Sequence, residues 1–315
     1  GFRRIVRDFD AYADADIEVP QGLHATLRSY QEDGFRWLGT LERLGFGGIL
    51  ADDMGLGKTV QVIAHILAQQ ENLDAPGAHP GPTLVVCPAS LVYNWMSELA
   101  RFAPGLDACA VVGAKRARAA LIGSASGRDV LVTSYDLLRR DVEAWSGVHL
   151  ARAFLDEAQY IKNPKAQVTR ACKCLDADVR FALTGTPIEN RLQELWSIFD
   201  FLMPGYLGTR EQFAKRYEGP VEAREHDGQR LLSCAIGPFV LRRLKSEVLA
   251  DLPEKTESVV YAQMEAKQRK LYLAAQDRVA LQVQHAFDPR DKGRGLGQEK
   301  LKILAELTKL RQICC

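Results

Sequence analysis

The 315-residue sequence contains no apolar run near the roughly 20 residues that a bilayer-spanning helix requires, which excludes a transmembrane helix. Residues Gly1 to Asp10 carry arginines but no apolar stretch, so no secretory signal is visible in them. The start also lacks an initiator Met, which points to a piece excised from a longer chain. Neither sign of charge prevails: 41 Lys and Arg stand against 40 Asp and Glu, a net +1. That excludes a purely electrostatic clamp on nucleic acid and leaves room only for a local basic stripe. The cysteines (Cys87, Cys109, Cys172, Cys174, Cys234, Cys314 and Cys315) lack framework spacing, and their odd number fits a reducing compartment. Cys172 and Cys174 have no Cys-x-x-Cys or His partners and are expected as free thiols, and the 6 histidines show no ligand spacing. No internal repeat is found.

What is present is ordinary for a globular enzyme, at 47% hydrophobic and 26% charged residues. Short apolar runs (Gly48–Ala51, Thr83–Pro88, Ala110–Val112, Val130–Ser134, Ala153–Asp156 and Phe181–Thr184) alternate with amphipathic stretches at Leu27–Leu44, Thr59–Gln70, Leu91–Phe102 and Leu192–Leu202. Strands that are apolar almost throughout, alternating with helices, predict an open α/β fold with a mostly parallel sheet covered on both faces. Ligands of such a sheet sit at the carboxyl ends of its strands. Asp74–Pro82 and Phe287–Gly297 are rich in Gly and Pro and read as surface connections. After Pro204-Gly205 the rhythm becomes mainly helical, apart from Phe239–Arg242 and Ser258–Tyr261. The predicted organisation is an upstream arm over 1–23, an α/β lobe over 24–205 and a mainly helical extension over 206–315.

Three motifs carry chemistry. Gly55-Leu56-Gly57-Lys58-Thr59 lies between a strand and a helix, where backbone N–H groups and the helix N-terminus meet phosphate oxygens. Lys58 is placed for the β- and γ-phosphates and Thr59 for magnesium. The generic pattern wants Gly where this chain has Asp52. Asp156-Glu157 closes an apolar run roughly 100 residues downstream. Alone, such a pair reads as a helix cap; beside a phosphate loop, Asp156 suits magnesium and Glu157 suits the attacking water. Thr184-Gly185-Thr186-Pro187 ends another strand, where hydroxyls can sense the γ-phosphate. Trp37, Trp95 and Trp196 fall at apolar helical positions and read as core, and Arg139-Arg140 reads as a solvated helix end.

Taken in order, these and further motifs resemble the Swi/Snf (chromatin-remodelling) ATPases of helicase superfamily two, from about Leu27 onwards. Leu27–Gln31 with Gly34 and Trp37-Leu38 is similar to the Q motif, and Ala51–Thr59 to motif I, Asp52 included. Cys87–Leu91 with Asn94-Trp95 and Glu98-Leu99 resembles motif Ia, and Thr133-Ser134-Tyr135 motif Ib. Asp156-Glu157-Ala158-Gln159, followed by Ile161-Lys162-Asn163, resembles motif II and its extension, and Leu183–Asn190 with Leu195-Trp196 motif III. Leu241–Lys245 with Leu252–Lys255 resembles the segment leading towards a second lobe.

The resemblance implies a RecA-like P-loop lobe binding ATP and Mg2+. Gln31 reads adenine, and Asp53, Met54, Gly55, Leu56, Gly57, Lys58, Thr59 and Val60 surround the nucleotide. Thr59 and Asp156 hold magnesium, and Lys58, Asp156, Glu157 and Gln159 form the catalytic set. Ser90, Thr133, Lys162 and Asn163 touch the backbone of double-stranded DNA without sequence preference. A DNA-bound protein is the implied target and no membrane is involved. Two positions depart from the pattern: Gln159 stands where His is usual and Glu189 where Gln is usual. Nothing resembles the arginine fingers of a second lobe, so the chain is expected to bind ATP but hydrolyse it slowly. A strand-separating helicase, a restriction-type translocase and a non-hydrolysing ATP-responsive scaffold stay open as alternatives. Ala- and Arg-rich composition and Gln159 lean towards a bacterial source, hence a cytoplasmic or nucleoid setting rather than a nuclear one.

Overall fold

Seven short segments rich in Val, Ile, Leu and Phe form strands, and their burial shows why they pair in parallel. In the computed structural model, which describes residues 17–72, 79–185, 192–219, 226–248, 263–286 and 296–314, these are β1 (Gly48–Leu50), β2 (Thr83–Cys87), β3 (Ala108–Ala110), β4 (Val130–Ser134), β5 (His149–Leu155), β6 (Asp176–Leu183) and β7 (Val240–Leu241). Every residue of β1, β2 and β4 is buried, so both faces of the sheet are covered and no polar–apolar alternation exists. All pairings are parallel, in the order β3-β4-β2-β5-β6-β1-β7. The flanking helices are α1 (Ser29–Arg43), α2 (Lys58–Glu71), α3 (Val92–Phe102), α4 (Lys115–Gly123), α5 (Tyr135–Arg140), α6 (Gln167–Lys173) and α7 (Leu192–Leu202).

The core joins strand residues such as Val85, Val132, Phe154 and Phe181 to Ile63 and Ile66 of α2, Leu99 of α3 and Phe199 of α7. Phe154 and Phe181 are fully buried and stacked with centroids 5.0 Å apart. Each such ring contributes about 1.5–3 kcal/mol by leaving water. Beside them lies a buried ionic cluster. Arg152 Nε donates to Glu42 Oε1 at 2.6 Å, and His65 Nε2 lies 2.6 Å from Glu42 Oε2. Burial pushes the Glu42 carboxyl up, but His65 and Arg152 more than offset this and hold it below the usual carboxylate range.

The compact unit runs to Leu252, and Pro253–Cys315 forms a second one. The change of rhythm near 205 is therefore not an edge of the sheet, because β7 pairs with β1 through Ile49↔Val240 and Leu50↔Leu241. Within the second unit, Ala266–Ala286 and Leu296–Cys314 are helices in mutual contact, with Gln268 Nε2 donating to the Ile313 carbonyl at 2.6 Å. Ser258–Tyr261, Thr186–Asn190 and Leu252–Lys255 lie outside the described residues.

Candidate nucleotide and nucleic-acid site

The strand order assigns each motif to one edge of the sheet. Reading the carboxyl ends from β4 through β2, β5 and β6 to β1 gives motif Ib, motif Ia, motif II, motif III and the phosphate loop in turn. The motifs expected to face nucleic acid thus occupy one side, those expected to face nucleotide the other, and Asp156 stands between them.

The phosphate loop leaves β1 and enters α2 through two left-handed glycines, Gly55 (φ +84°) and Gly57 (φ +78°). A Cβ on Gly57 would lie 2.4 Å from Gln31 Nε2, so this position has neither the conformation nor the room for a side chain. Gln31 Nε2 donates to the Leu56 carbonyl at 3.1 Å, and its Oε1 accepts from Arg28 N at 2.9 Å. Lys58 Nζ donates to the Asp52 carbonyl at 2.7 Å and the Asp53 carbonyl at 3.3 Å. Burial pushes its ammonium below the usual lysine range, and the carboxylates of Asp52, Glu157, Asp156 and Asp53 only partly offset this.

Asp156 and Glu157 follow β5 directly. Burial pushes the Asp156 carboxyl above its usual range, and Glu157 adds to this, against hydrogen bonds from Trp95 and the Glu157 N–H and the charge of Lys58. Glu157 has φ 52° and ψ 55°, the left-handed region, which no other non-glycine among the described residues adopts. Such strain persists only where the surroundings impose it. Gln159 then bridges two motifs. Its Nε2 donates to Glu157 Oε2 at 2.7 Å, and its Oε1 accepts from Thr184 Oγ1 at 3.3 Å. An uncharged amide, donor at one end and acceptor at the other, suffices where the family pattern has His.

Asp52, the residue that breaks the generic loop pattern, is fully buried and has a specific partner. Arg243 holds it with both arms of its guanidinium, Nε donating to Oδ1 at 2.9 Å and Nη2 to Oδ2. The same guanidinium donates to Gln61 Oε1 at 2.9 Å and to the Tyr30 carbonyl, and lies over the Tyr30 ring. Gly34 is what admits it, since a Cβ there would lie 1.9 Å from Gln61 Oε1 and 2.7 Å from Arg243 Nη2. The Arg243 carbonyl accepts from Asp53 N at 3.1 Å, and Lys245 N donates to Asp53 Oδ2 at 3.1 Å. The segment after β7 therefore braces the phosphate loop and the Q motif together.

Of the positions assigned to DNA, Ser90, Lys162 and Asn163 are exposed. Thr133 is not a surface residue: it is 1% exposed and its hydroxyl donates to the Val111 carbonyl at 3.0 Å, because both faces of β4 are covered. Cys87, at the end of β2, has its thiol pushed up to about 12 by burial and by Asp156, so it is no nucleophile at neutral pH.

Residues 30–315 match the SNF2-related domain. The chain belongs to the SNF2 family. A solved SWI2/SNF2 ATPase core of Sulfolobus solfataricus in complex with double-stranded DNA is similar at 37% identity, with a TM-score of 0.68, over 95% of this chain and 60% of that one. Among curated SNF2 relatives, the TATA-binding protein-associated factor mot1 of Aspergillus fumigatus is 42% identical over 82% of this chain. The putative ATP-dependent helicase/translocase YwqA of Bacillus subtilis is 41% identical over 99% of it. The chain spans 15% of the first relative and 33% of the second.

Within this SNF2 lobe, sequence reading alone missed two functional neighbours. Arg243 resembled a connector, and only the β1–β7 pairing brings it back to Asp52. The unexplained Asp52, in a position that usually takes Gly, was the available signal. Trp95 is core, as its helical position implied, yet its indole also donates to Asp156 Oδ2 at 2.9 Å.

Proposed function

We propose that this chain is the nucleotide-binding lobe of a DNA-dependent ATPase that moves along duplex DNA and displaces proteins bound to it. The observation that carries the proposal is the order of motifs along one sheet edge, with the Asp156–Glu157 pair between the phosphate loop and the β2 end that bears the exposed Ser90, and with the exposed Lys162 and Asn163 just after the pair in the chain.

The residues fit magnesium–ATP. Two left-handed glycines and the N-terminus of α2 present backbone donors to phosphates, and Gly57 leaves no space that a side chain could fill. Lys58, which donates to loop carbonyls, has its ammonium beside that turn and exchanges those partners for phosphate oxygens. Thr59 and Asp156 are the residues that would hold magnesium, which would supply charge neutralisation at the phosphates. Glu157 accepts the proton of the attacking water, and Gln159 carries the state of that carboxylate to Thr184. Gln31, already bonded to the Leu56 carbonyl, reads the adenine edge with its remaining donor and acceptor capacity.

Lys58→Ala is expected to weaken magnesium–ATP binding roughly ten- to hundredfold, since a charge-assisted contact is worth about 1.5–3 kcal/mol. Titration calorimetry giving equal affinities for both proteins would remove the nucleotide assignment. Duplex binding is expected to be indifferent to sequence and to weaken as salt rises. Lys162, 56% exposed at its side chain, is the charged member of the proposed DNA face. Lys162→Ala should lower the slope of log affinity against log salt by about one. An unchanged slope in fluorescence-anisotropy titrations would take Lys162 off the interface.

A further inference from the structure

Asp156 is held by two aromatic residues that belong to neighbouring strand ends, not to the nucleotide loop. Trp95 Nε1 donates to Asp156 Oδ2 at 2.9 Å, and the Tyr135 hydroxyl donates to the Asp156 carbonyl at 2.7 Å. Trp95 lies on α3, just beyond Ser90, and Tyr135 opens α5 directly after β4. Buried indole and phenol donors need a partner, and any nearby carbonyl would serve. Here both converge on one residue, the one that faces the nucleotide. The contact continues outward: Tyr135 stacks on Tyr160, with centroids 4.7 Å apart and planes 4° from parallel. Tyr160 is 50% exposed, and the exposed Lys162 and Asn163 follow it closely in the chain.

We infer that Trp95 and Tyr135 position Asp156 for magnesium, and that Tyr160, stacked on Tyr135, only ties this pair to the surface at Lys162 and Asn163, so that bound duplex DNA alters the magnesium requirement of the nucleotide site. This rests on the magnesium–ATP and DNA sites proposed above. The Trp95 N–H fixes which way the carboxylate presents its free lone pairs, and the Tyr135 hydroxyl fixes the backbone behind it. Partners of this kind, one step out from a metal, typically change metal affinity 10- to 100-fold when removed. Ring stacking makes Tyr160 the exposed end, where a duplex on that face changes its packing on Tyr135. Linkage then requires magnesium to affect DNA affinity by the same factor that DNA affects magnesium affinity.

The test uses Trp95→Phe and Tyr135→Phe, which keep an aromatic ring and remove one donor each, and Tyr160→Ala, which removes the exposed ring. ATP binding by the full chain is measured over a magnesium titration, with and without duplex DNA, and in EDTA. In the two Phe variants the half-saturating magnesium concentration should rise about tenfold, while ATP binding in EDTA stays as in the parent chain. Tyr160→Ala should keep the parent magnesium dependence without DNA and lose the shift that DNA produces. A role confined to packing would lower Tm and leave these magnesium curves superimposed, and superimposed curves overturn the inference. A parent chain that binds both ligands without any shift overturns the tie to DNA. A parent chain that binds neither removes the proposed function itself, a result distinct from both.

Discussion

Replacing Arg243 with alanine is expected to destabilise the chain by about 3–5 kcal/mol, because it leaves a buried carboxylate without its counter-charge. Asp52 is fully buried and Arg243 only 12% exposed at its side chain, so little solvent screening softens the loss. Gln61 Nε2 donates to Asp52 Oδ2 at 3.4 Å, but a long hydrogen bond from a neutral amide does not replace the charge of the guanidinium. The intact pair need not be more stabilising than an apolar pair of similar shape. The cost comes from breaking one half. Asp52→Asn in the Arg243→Ala background should therefore restore part of the stability, a coupling that a double-mutant cycle in urea isolates. A loss under about 1 kcal/mol for Arg243→Ala would show that Asp52 finds water or another donor.

Glu157→Gln is expected to lower ATP hydrolysis on the order of 10²- to 10⁴-fold, the usual contribution of a positioned general base. The amide has nearly the same shape and keeps an oxygen for the Gln159 Nε2 donor that lies 2.7 Å from Oε2 in the parent chain. Magnesium–ATP binding should consequently persist while turnover falls, separating the chemical step from substrate capture. Single-turnover phosphate release with protein in excess reads both rates, however slow. A variant rate within threefold of the parent would assign the base to another group.

The sheet was legible in the sequence wherever strands are buried on both faces. Val130–Ser134 and Leu192–Leu202 coincide with β4 and α7, since uninterrupted apolar runs and helical spacing mark both. Where strands emerge into solvent the signal weakens. β6 starts at Asp176, before the apolar run from Phe181, because its amino end is polar and partly exposed; β5 starts at His149, before the run from Ala153, because the buried Arg152 interrupts the apolar pattern. β3 sits at Ala108–Ala110, ahead of the expected Ala110–Val112, on an edge that only half-buries it. The phosphate loop and the Asp156–Glu157 pair were legible because their chemistry is local. The brace at Arg243 and the donors from Trp95 and Tyr135 were not, since each joins residues far apart in sequence. A motif match did not show that the Thr133 side chain is buried, with its hydroxyl on the Val111 carbonyl.

The place of β1 in the sheet also dictates a timetable. β1 precedes the other described strands in synthesis, yet its neighbours are β6 and β7, which follow much later. Asp52 must wait 191 residues for Arg243, about 10–40 s at ordinary elongation rates. Until β6 is made, the nascent chain can pair β2 with β4 and β5 while the apolar Gly48–Leu50 has neither partner strand, and until β7 follows it still offers one edge to any other chain. The phosphate loop is thus made before motifs Ia to III and completed after them. Its closure entropy is settled only when the segment after β7 arrives.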